Sequence, residues 1–355
     1  MGAADHAIVV GIDAYPSLGD LDGAVADARD FEAWLLDARG GNVPRANVDL
    51  LLSSPATPAV APHKARPQIG EVNALFDELY ETGQQSGRVG DRLYLFFAGH
   101  GFAKDIESAA LLMANAARGA VAGRHFPGRP YANWFRQAAF FREVVLFMDC
   151  CRETYSLTNL AAVPYDMRIG DPPGRKFFGF ATKWSRAARE IGSGPANQKR
   201  GLFTLALLSG LRGGAQSNAN GQVKGLDLES WVINYVRKER QLDDDEMPEF
   251  DYSKTTDLMF NADSGEPPSN SGAAARPPSP PGPSYVVHAR ASNGGAHLDY
   301  ELTDGAFQTV APQTRTDSEW TWRVDRPGLY KLHRVGGGNQ ILEVIGDREV
   351  IDVVL

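Results

Sequence analysis

Two stretches decide how this chain folds: Arg92-Leu93-Tyr94-Leu95-Phe96-Phe97-Ala98-Gly99-His100-Gly101 and Val144-Val145-Leu146-Phe147-Met148-Asp149-Cys150-Cys151-Arg152. Each contains a short continuous apolar run, the pattern of a strand buried on both faces. Each run ends in groups that carry chemistry, a histidine between two glycines in the first and adjacent thiols in the second. In open α/β sheets the carboxyl ends of the strands are where reacting groups gather. A histidine held near a cysteine favours the thiolate and can return the proton to a leaving amine, so such a pair suits acyl transfer.

Outward from these runs the chain alternates β-type and helical patterns up to about residue 260. Ala7-Ile8-Val9-Val10-Gly11-Ile12 reads as a first strand, and Leu21, Ala24, Val25, Ala28, Phe31, Leu35 and Ala38 then recur at the spacing of an amphipathic helix. Val72, Leu75, Phe76, Leu79 and Tyr80 predict a second helix, and a third is expected around Trp134 to Arg142. Phe177 to Ala181 reads as a strand, Gly201 to Leu211 as an apolar helix and Leu228 to Val236 as another, before a return through Thr256 to Phe260. This alternation predicts an α/β unit over residues 1–262, a mostly parallel sheet with helices on both faces. Residues 263–284, with Arg276-Pro277-Pro278-Ser279-Pro280-Pro281-Gly282-Pro283, read as a Pro-rich linker. Short strands separated by turn residues over 285–355 predict a small all-β accessory domain of sandwich type.

Composition bounds the function. The 355 residues are 43% hydrophobic and 23% charged, with no apolar stretch near the roughly 18 residues of a membrane span. A net charge of −8 argues against a nucleic-acid groove. The first strand follows the amino terminus with no secretory leader, so a cytoplasmic location is the expectation. The two cysteines are neighbours, which allows neither a disulfide framework nor a four-ligand zinc site. No cofactor or metal is expected. Strand alternation turns adjacent side chains to opposite sides, so Cys151 is the expected nucleophile and Cys150 packs. His100 is the expected base, and Gly101 stands where an unobstructed amide can face an oxyanion. A Cys-x5-Arg phosphatase loop is excluded, and there is no Gly-x4-Gly-Lys-Ser/Thr phosphate cradle.

Residues 6–260 resemble a caspase-like cysteine peptidase, nearest to the bacterial caspase-like and metacaspase branch. The resemblance is carried by Ala7 to Tyr15, Leu21 to Ala28, Phe97 to Gly101, Asp149 to Arg152 and Gly201 to Leu208. The caspase signature sets its histidine about 50 residues before the cysteine, which is the separation of His100 and Cys151. The resemblance implies a caspase–hemoglobinase fold and a Cys151–His100 dyad. It also puts Asp27 and Asp149 at the mouth of the P1 pocket, with Trp184 in the segment that walls the extended peptide. Two carboxylates there favour a basic P1 residue, arginine over lysine because of its fork.

The implied activity is endopeptidase cleavage of proteins with exposed Arg or Lys sites, within a bacterial stress, cell-death or antiviral response. Many metacaspases bind calcium after the catalytic histidine, and Phe102 to Ser108 has few carboxylates for that. Residues 116–130 carry Arg118, Arg124 and Arg129 and are expected to form an exposed, cleavable activation loop. An upstream protease, or a regulator acting through the β domain, is the expected partner, with no membrane or nucleic acid involved. The rival reading is a catalytically quiet scaffold that uses the same fold for protein contacts.

Overall fold

The computed structural model describes residues 5–53, 61–105, 107–117, 119–152, 159–183, 190–193, 198–215, 218, 220–240, 247–253, 258–261, 285–290, 300–303, 309–316, 319–324, 328–334, 339–344 and 350–354. In chain order the first part runs β1 (His6–Gly11), α1 (Ala24–Leu36), β2 (Val48–Leu52), α2 (Ile69–Ser86), β3 (Gly90–Ala98), β4 (Gly101–Phe102), β5 (Ala110–Leu112) and β6 (His125–Phe126). It continues through α3 (Gly128–Gln137), β7 (Phe141–Asp149), β8 (Arg175–Phe180), β9 (Glu190–Ser193), β10 (Gln198–Gly201) and α4 (Leu202–Ser209). Then come β11 (Gln222–Lys224), α5 (Gly225–Arg240), β12 (Glu249–Tyr252) and β13 (Met259–Asn261).

Six strands form the central sheet in the order β12-β8-β7-β3-β1-β2, parallel throughout except for β12, which runs antiparallel to β8. Period-two alternation sorts the side chains to two cores. Val9, Tyr94, Phe96, Val145, Phe147 and Phe177 point to the face covered by α1, α4 and α5. Val10, Leu95, Phe97, Leu146, Met148 and Phe178 point to the face covered by α2 and α3. This is the mostly parallel sheet with helices on both faces that the sequence pattern implied; α2 contains the apolar positions read for it, and α1 is shorter than its pattern, leaving Leu21 and Ala38 outside.

One expectation changes. The third helix ends at Gln137, because Ala139 adopts φ 57° and turns the chain so that Phe141 and Arg142 start β7. The return through Thr256 to Phe260 ends in β13, which pairs with β11. The two edge strands, β2 and β12, are additions to the sequence reading: both are half-buried, and Glu249-Phe250-Asp251-Tyr252 alternates charged and aromatic residues.

The β-rich region consists of β14 (Tyr285–Arg290), β15 (Tyr300–Thr303), β16 (Thr309–Val310), β17 (Thr314–Arg315), β18 (Glu319–Val324), β19 (Gly328–Arg334), β20 (Asn339–Val344) and β21 (Val350–Val354). They make two four-stranded sheets, β17-β18-β14-β21 and β16-β15-β19-β20, around a core of its own that includes Val287, Tyr300, Leu302, Trp320, Trp322 and Leu332. The Pro-rich segment lies outside the described residues.

Candidate active site

Strand register builds the site. In the parallel pair β3–β7, Ala98 stands opposite Asp149, and Gly99 N–H donates to the Asp149 carbonyl at 3.2 Å. His100 and Cys151 therefore leave adjacent strands at matching height, each two residues beyond the paired position. Gly99 makes the exit possible. Its φ is 151°, and a Cβ there would run into the Tyr15 hydroxyl.

Sequence reasoning missed what holds the histidine. The fully buried Tyr15 hydroxyl accepts from His100 N–H at 3.0 Å and donates to the Leu112 carbonyl at 2.9 Å, and the two rings lie 4.7 Å apart. His100 Nε2 is 3.0 Å from the Gly19 carbonyl. A carbonyl only accepts, so Nε2 carries the proton and Nδ1 is the ring's basic nitrogen. Gly19 sits at φ 101° in a loop that is itself bonded: Gly19 N–H donates to the Tyr15 carbonyl and Tyr15 N–H to Asp20 Oδ1. A backbone acceptor 81 residues from its partner leaves no side-chain signature, so no motif could have shown it.

The two thiols differ as alternation requires. Cys150 is 1% exposed within the α2/α3 core, and burial pushes its thiol far above the ordinary range. The backbone of Gly101 packs on it, since a Cβ on Gly101 would come 2.6 Å from Cys150 Sγ. Cys151 is half-buried. The next residue, Arg152, is fully buried, with Nη1 donating to Glu249 Oε2 at 2.6 Å and to the Thr182 carbonyl at 3.2 Å, and its guanidinium over the Phe180 ring. This ties the cysteine turn to the ends of β8 and β12.

Asp149 points to the opposite face from Cys150, toward α1 and α4. Asp27, on α1, lies there too, and the pair converges on Gly201: a Cβ on that residue would come 2.9 Å from Asp27 Oδ2 and closer still to Asp149 Oδ2. Asp27 is 1% exposed and Asp149 8%. Asp149 Oδ2 accepts from Thr204 N–H at 3.1 Å and Thr204 Oγ1 at 2.6 Å, which satisfies the first turn of α4. Asp27 Oδ2 accepts from Gly201 N–H at 2.8 Å, and Asp27 Oδ1 from Arg200 Nε at 2.6 Å. Arg200 Nη2 reaches Asp30 as well. Burial drives the Asp27 carboxyl well up, with Arg200 opposing the rise and Asp149 adding to it. Arg200 is a further site residue that the sequence did not mark, since it lies 173 residues from Asp27 and nothing local names its partner.

The activation loop needs correction at Arg129. This residue is 3% exposed in the first turn of α3, and its guanidinium bonds Glu107 at 2.9 Å and Asp251 at 2.7 Å. A peptidase needs an accessible, extended segment, and a buried helical arginine does not supply one. Around it the segment is folded rather than looped out: β6 pairs with β5, and His125 and Phe126 are buried. Arg124 is half-buried, its Nη1 donating to the Asn115 carbonyl at 3.0 Å. Arg118 and Trp184 lie outside the described residues. Among the described residues no three His, Cys, Asp or Glu side chains gather as a metal site, and no helix is long and apolar enough to cross a membrane.

No family model matches the chain. It is 30% identical over 221 residues to a probable protease from a Desulfuromonadales bacterium, covering 58% of this chain and 26% of that protein. The chain thus spans about a quarter of the length of the curated relative it matches. Among solved structures it is similar to caspase-1 from Spodoptera frugiperda, with TM-score 0.47, 14% identity and coverage of 74% of this chain and 92% of that one. A second, pro-Sf-caspase-1, has TM-score 0.42 and 14% identity over 70% and 91% of the two chains. Neither score informs the site, which stands on its own geometry. With its six-stranded, mostly parallel sheet, helices on both faces and a histidine and a cysteine at neighbouring strand ends, the chain has an α/β architecture.

Proposed function

We propose that this chain is a cysteine-type endopeptidase that cleaves proteins after a basic residue, arginine in preference to lysine. The observation that carries the reading is the β3–β7 register, which brings His100 and Cys151 to the same sheet edge with Nε2 of the histidine fixed on the Gly19 carbonyl. Nδ1 of His100 takes the Cys151 proton, and the thiolate adds to the carbonyl carbon after P1 to give a tetrahedral oxyanion. Backbone amides at Gly101 and Cys151 are the proposed donors to that oxygen. The oxyanion collapses, the C–N bond breaks, and His100 hands its proton to the leaving amine. Water, deprotonated by the same ring, then cleaves the thioester and releases the acid and the thiol. The basic P1 preference draws support from chemistry already present, since Asp27 pairs with a guanidinium, that of Arg200.

The test is hydrolysis of fluorogenic peptides ending in Arg, Lys or Asp by the wild type, Cys151→Ala and Cys150→Ala. Cleavage of the arginyl peptide that is lost in Cys151→Ala and kept in Cys150→Ala supports the proposal. Preferential cleavage of the aspartyl peptide removes the P1 assignment, and no cleavage by any form favours the scaffold.

A further inference from the structure

The guanidinium that meets Asp27 belongs to the chain itself. We propose that Arg200 is a specificity-determining residue: it pairs with Asp27 in the manner of a P1 arginine, and a substrate's basic side chain reaches that carboxylate by exchanging with it. The inference rests on reading Asp27 and Asp149 as the P1 pocket.

Three observations carry it. Arg200 forks between two carboxylates, Nε on Asp27 Oδ1 and Nη2 on Asp30, with its side chain 7% exposed. Its contact with Asp27 is one that a substrate arginine could make in its place. The following Gly201 lays bare backbone on both carboxylates, its N–H donating to Asp27 Oδ2 at 2.8 Å, so the Arg200–Gly201 segment lies directly against them. Arg200 also stands at a junction of unequal stability. Behind it α4 is buried along its whole length, whereas Arg200 lies in β10 of the two-stranded hairpin β9–β10, one residue before the strand ends. A two-stranded ribbon is held far less firmly than a packed helix, so the hairpin can shift while α4 stays.

Charge permits the exchange. Asp27 and Asp30 share the Arg200 guanidinium, and Arg212 Nη2 lies 3.5 Å from the Asp30 carbonyl. An occupant present about 90% of the time weakens an incoming ligand's apparent affinity about tenfold. It also sharpens selectivity, because a planar fork replaces a planar fork on equal terms and a lysine ammonium does not.

The experiment is calorimetric titration of arginine amide, and of citrulline amide as its uncharged isostere, into the full chain carrying Cys151→Ala, with and without Arg200→Ala. Arginine amide is expected to bind the Arg200→Ala chain about tenfold more tightly than its parent, with no gain for citrulline amide. Equal affinity in the two chains, or a gain shared by citrulline amide, overturns the proposal. Should Arg200→Ala not fold, Arg200→Lys serves: its single ammonium releases the pocket more readily, so a smaller gain of the same sign is expected, and no gain overturns the inference. Hydrolysis is not read. An inactive chain that shows exchange removes the peptidase reading alone, and an arginine-cleaving chain without exchange removes this inference alone.

Discussion

Gly201→Ala is a one-methyl change with a large expected cost. Gly201 has ordinary extended backbone angles, φ −64° and ψ 121°, so alanine meets no conformational penalty there. The cost comes from space: the new Cβ falls 2.8 Å from Asp149 Cγ, 2.9 Å from Asp27 Oδ2 and inside contact distance of Asp149 Oδ2. Asp149 cannot simply retreat, because Thr204 N–H and Oγ1 hold that oxygen at 3.1 and 2.6 Å. Overpacking costs about 1–3 kcal/mol. Loss or stretching of hydrogen bonds to a buried carboxylate adds about 1–3 kcal/mol. The expected total is about 3 kcal/mol, a large fraction of an ordinary domain's stability. Urea unfolding followed by tryptophan fluorescence reads it, with Gly70→Ala as control. A Cβ on Gly70, in α2, meets nothing within 4 Å, so that variant should gain about 0.5–1 kcal/mol from helix propensity. The clash also has a partner, and Asp149→Ala should relieve it: the cost of Gly201→Ala should fall by at least about 1 kcal/mol in that background. A Gly201→Ala chain within about 0.5 kcal/mol of wild type, or an identical cost in both backgrounds, refutes this picture of the pocket floor.

Other outcomes follow from the same geometry. Tyr15→Phe removes a buried hydroxyl that serves His100 N–H and the Leu112 carbonyl, so it should cost about 2 kcal/mol and slow alkylation of Cys151 by iodoacetamide; an unchanged alkylation rate contradicts the role given to Tyr15. Limited alkylation followed by peptide mapping should mark Cys151 well before Cys150, whose thiol is buried and held far above its ordinary range; early modification of Cys150 contradicts the assignment. Fully buried His125 accepts from Ala161 N–H through Nε2 at 2.9 Å, while Nδ1 lies 2.9 Å from the Val121 carbonyl, and burial holds it below 6.5. The unfolded chain therefore takes up the proton first. This residue's share of stability is complete above its unfolded value and is lost as pH falls through about 6.5, and His125→Gln should flatten the change in melting temperature between about pH 7 and about pH 5.5. Parallel curves for the two chains contradict it.

What was legible in the sequence depended on whether the signal was local. Buried strands announce themselves as apolar runs, so β3 and β7 and the groups at their ends could be placed without a structure. The facing of Asp149 and Cys150 to opposite sides follows from strand alternation alone. Arg152–Glu249, Arg129–Asp251 and Arg200–Asp27 were not legible, because each ion pair joins residues far apart in sequence and any of several charges would satisfy the pattern. Arg129 shows the error this causes: among Gly and Ala residues an arginine reads as exposed, whereas here two carboxylates from distant elements take it inside. Gly19 shows the harder limit, since its contribution is a carbonyl that every residue possesses.

Covalent trapping tests the central claim most directly. A peptidyl arginine chloromethyl ketone is incubated with the full chain and with its Cys151→Ala, Cys150→Ala and His100→Ala forms, and the adduct is located by intact mass and peptide mapping. A single adduct is expected on Cys151, retained in Cys150→Ala, absent in Cys151→Ala and strongly slowed in His100→Ala. An adduct on Cys150, or labelling of Cys151 at the same rate without His100, contradicts the account.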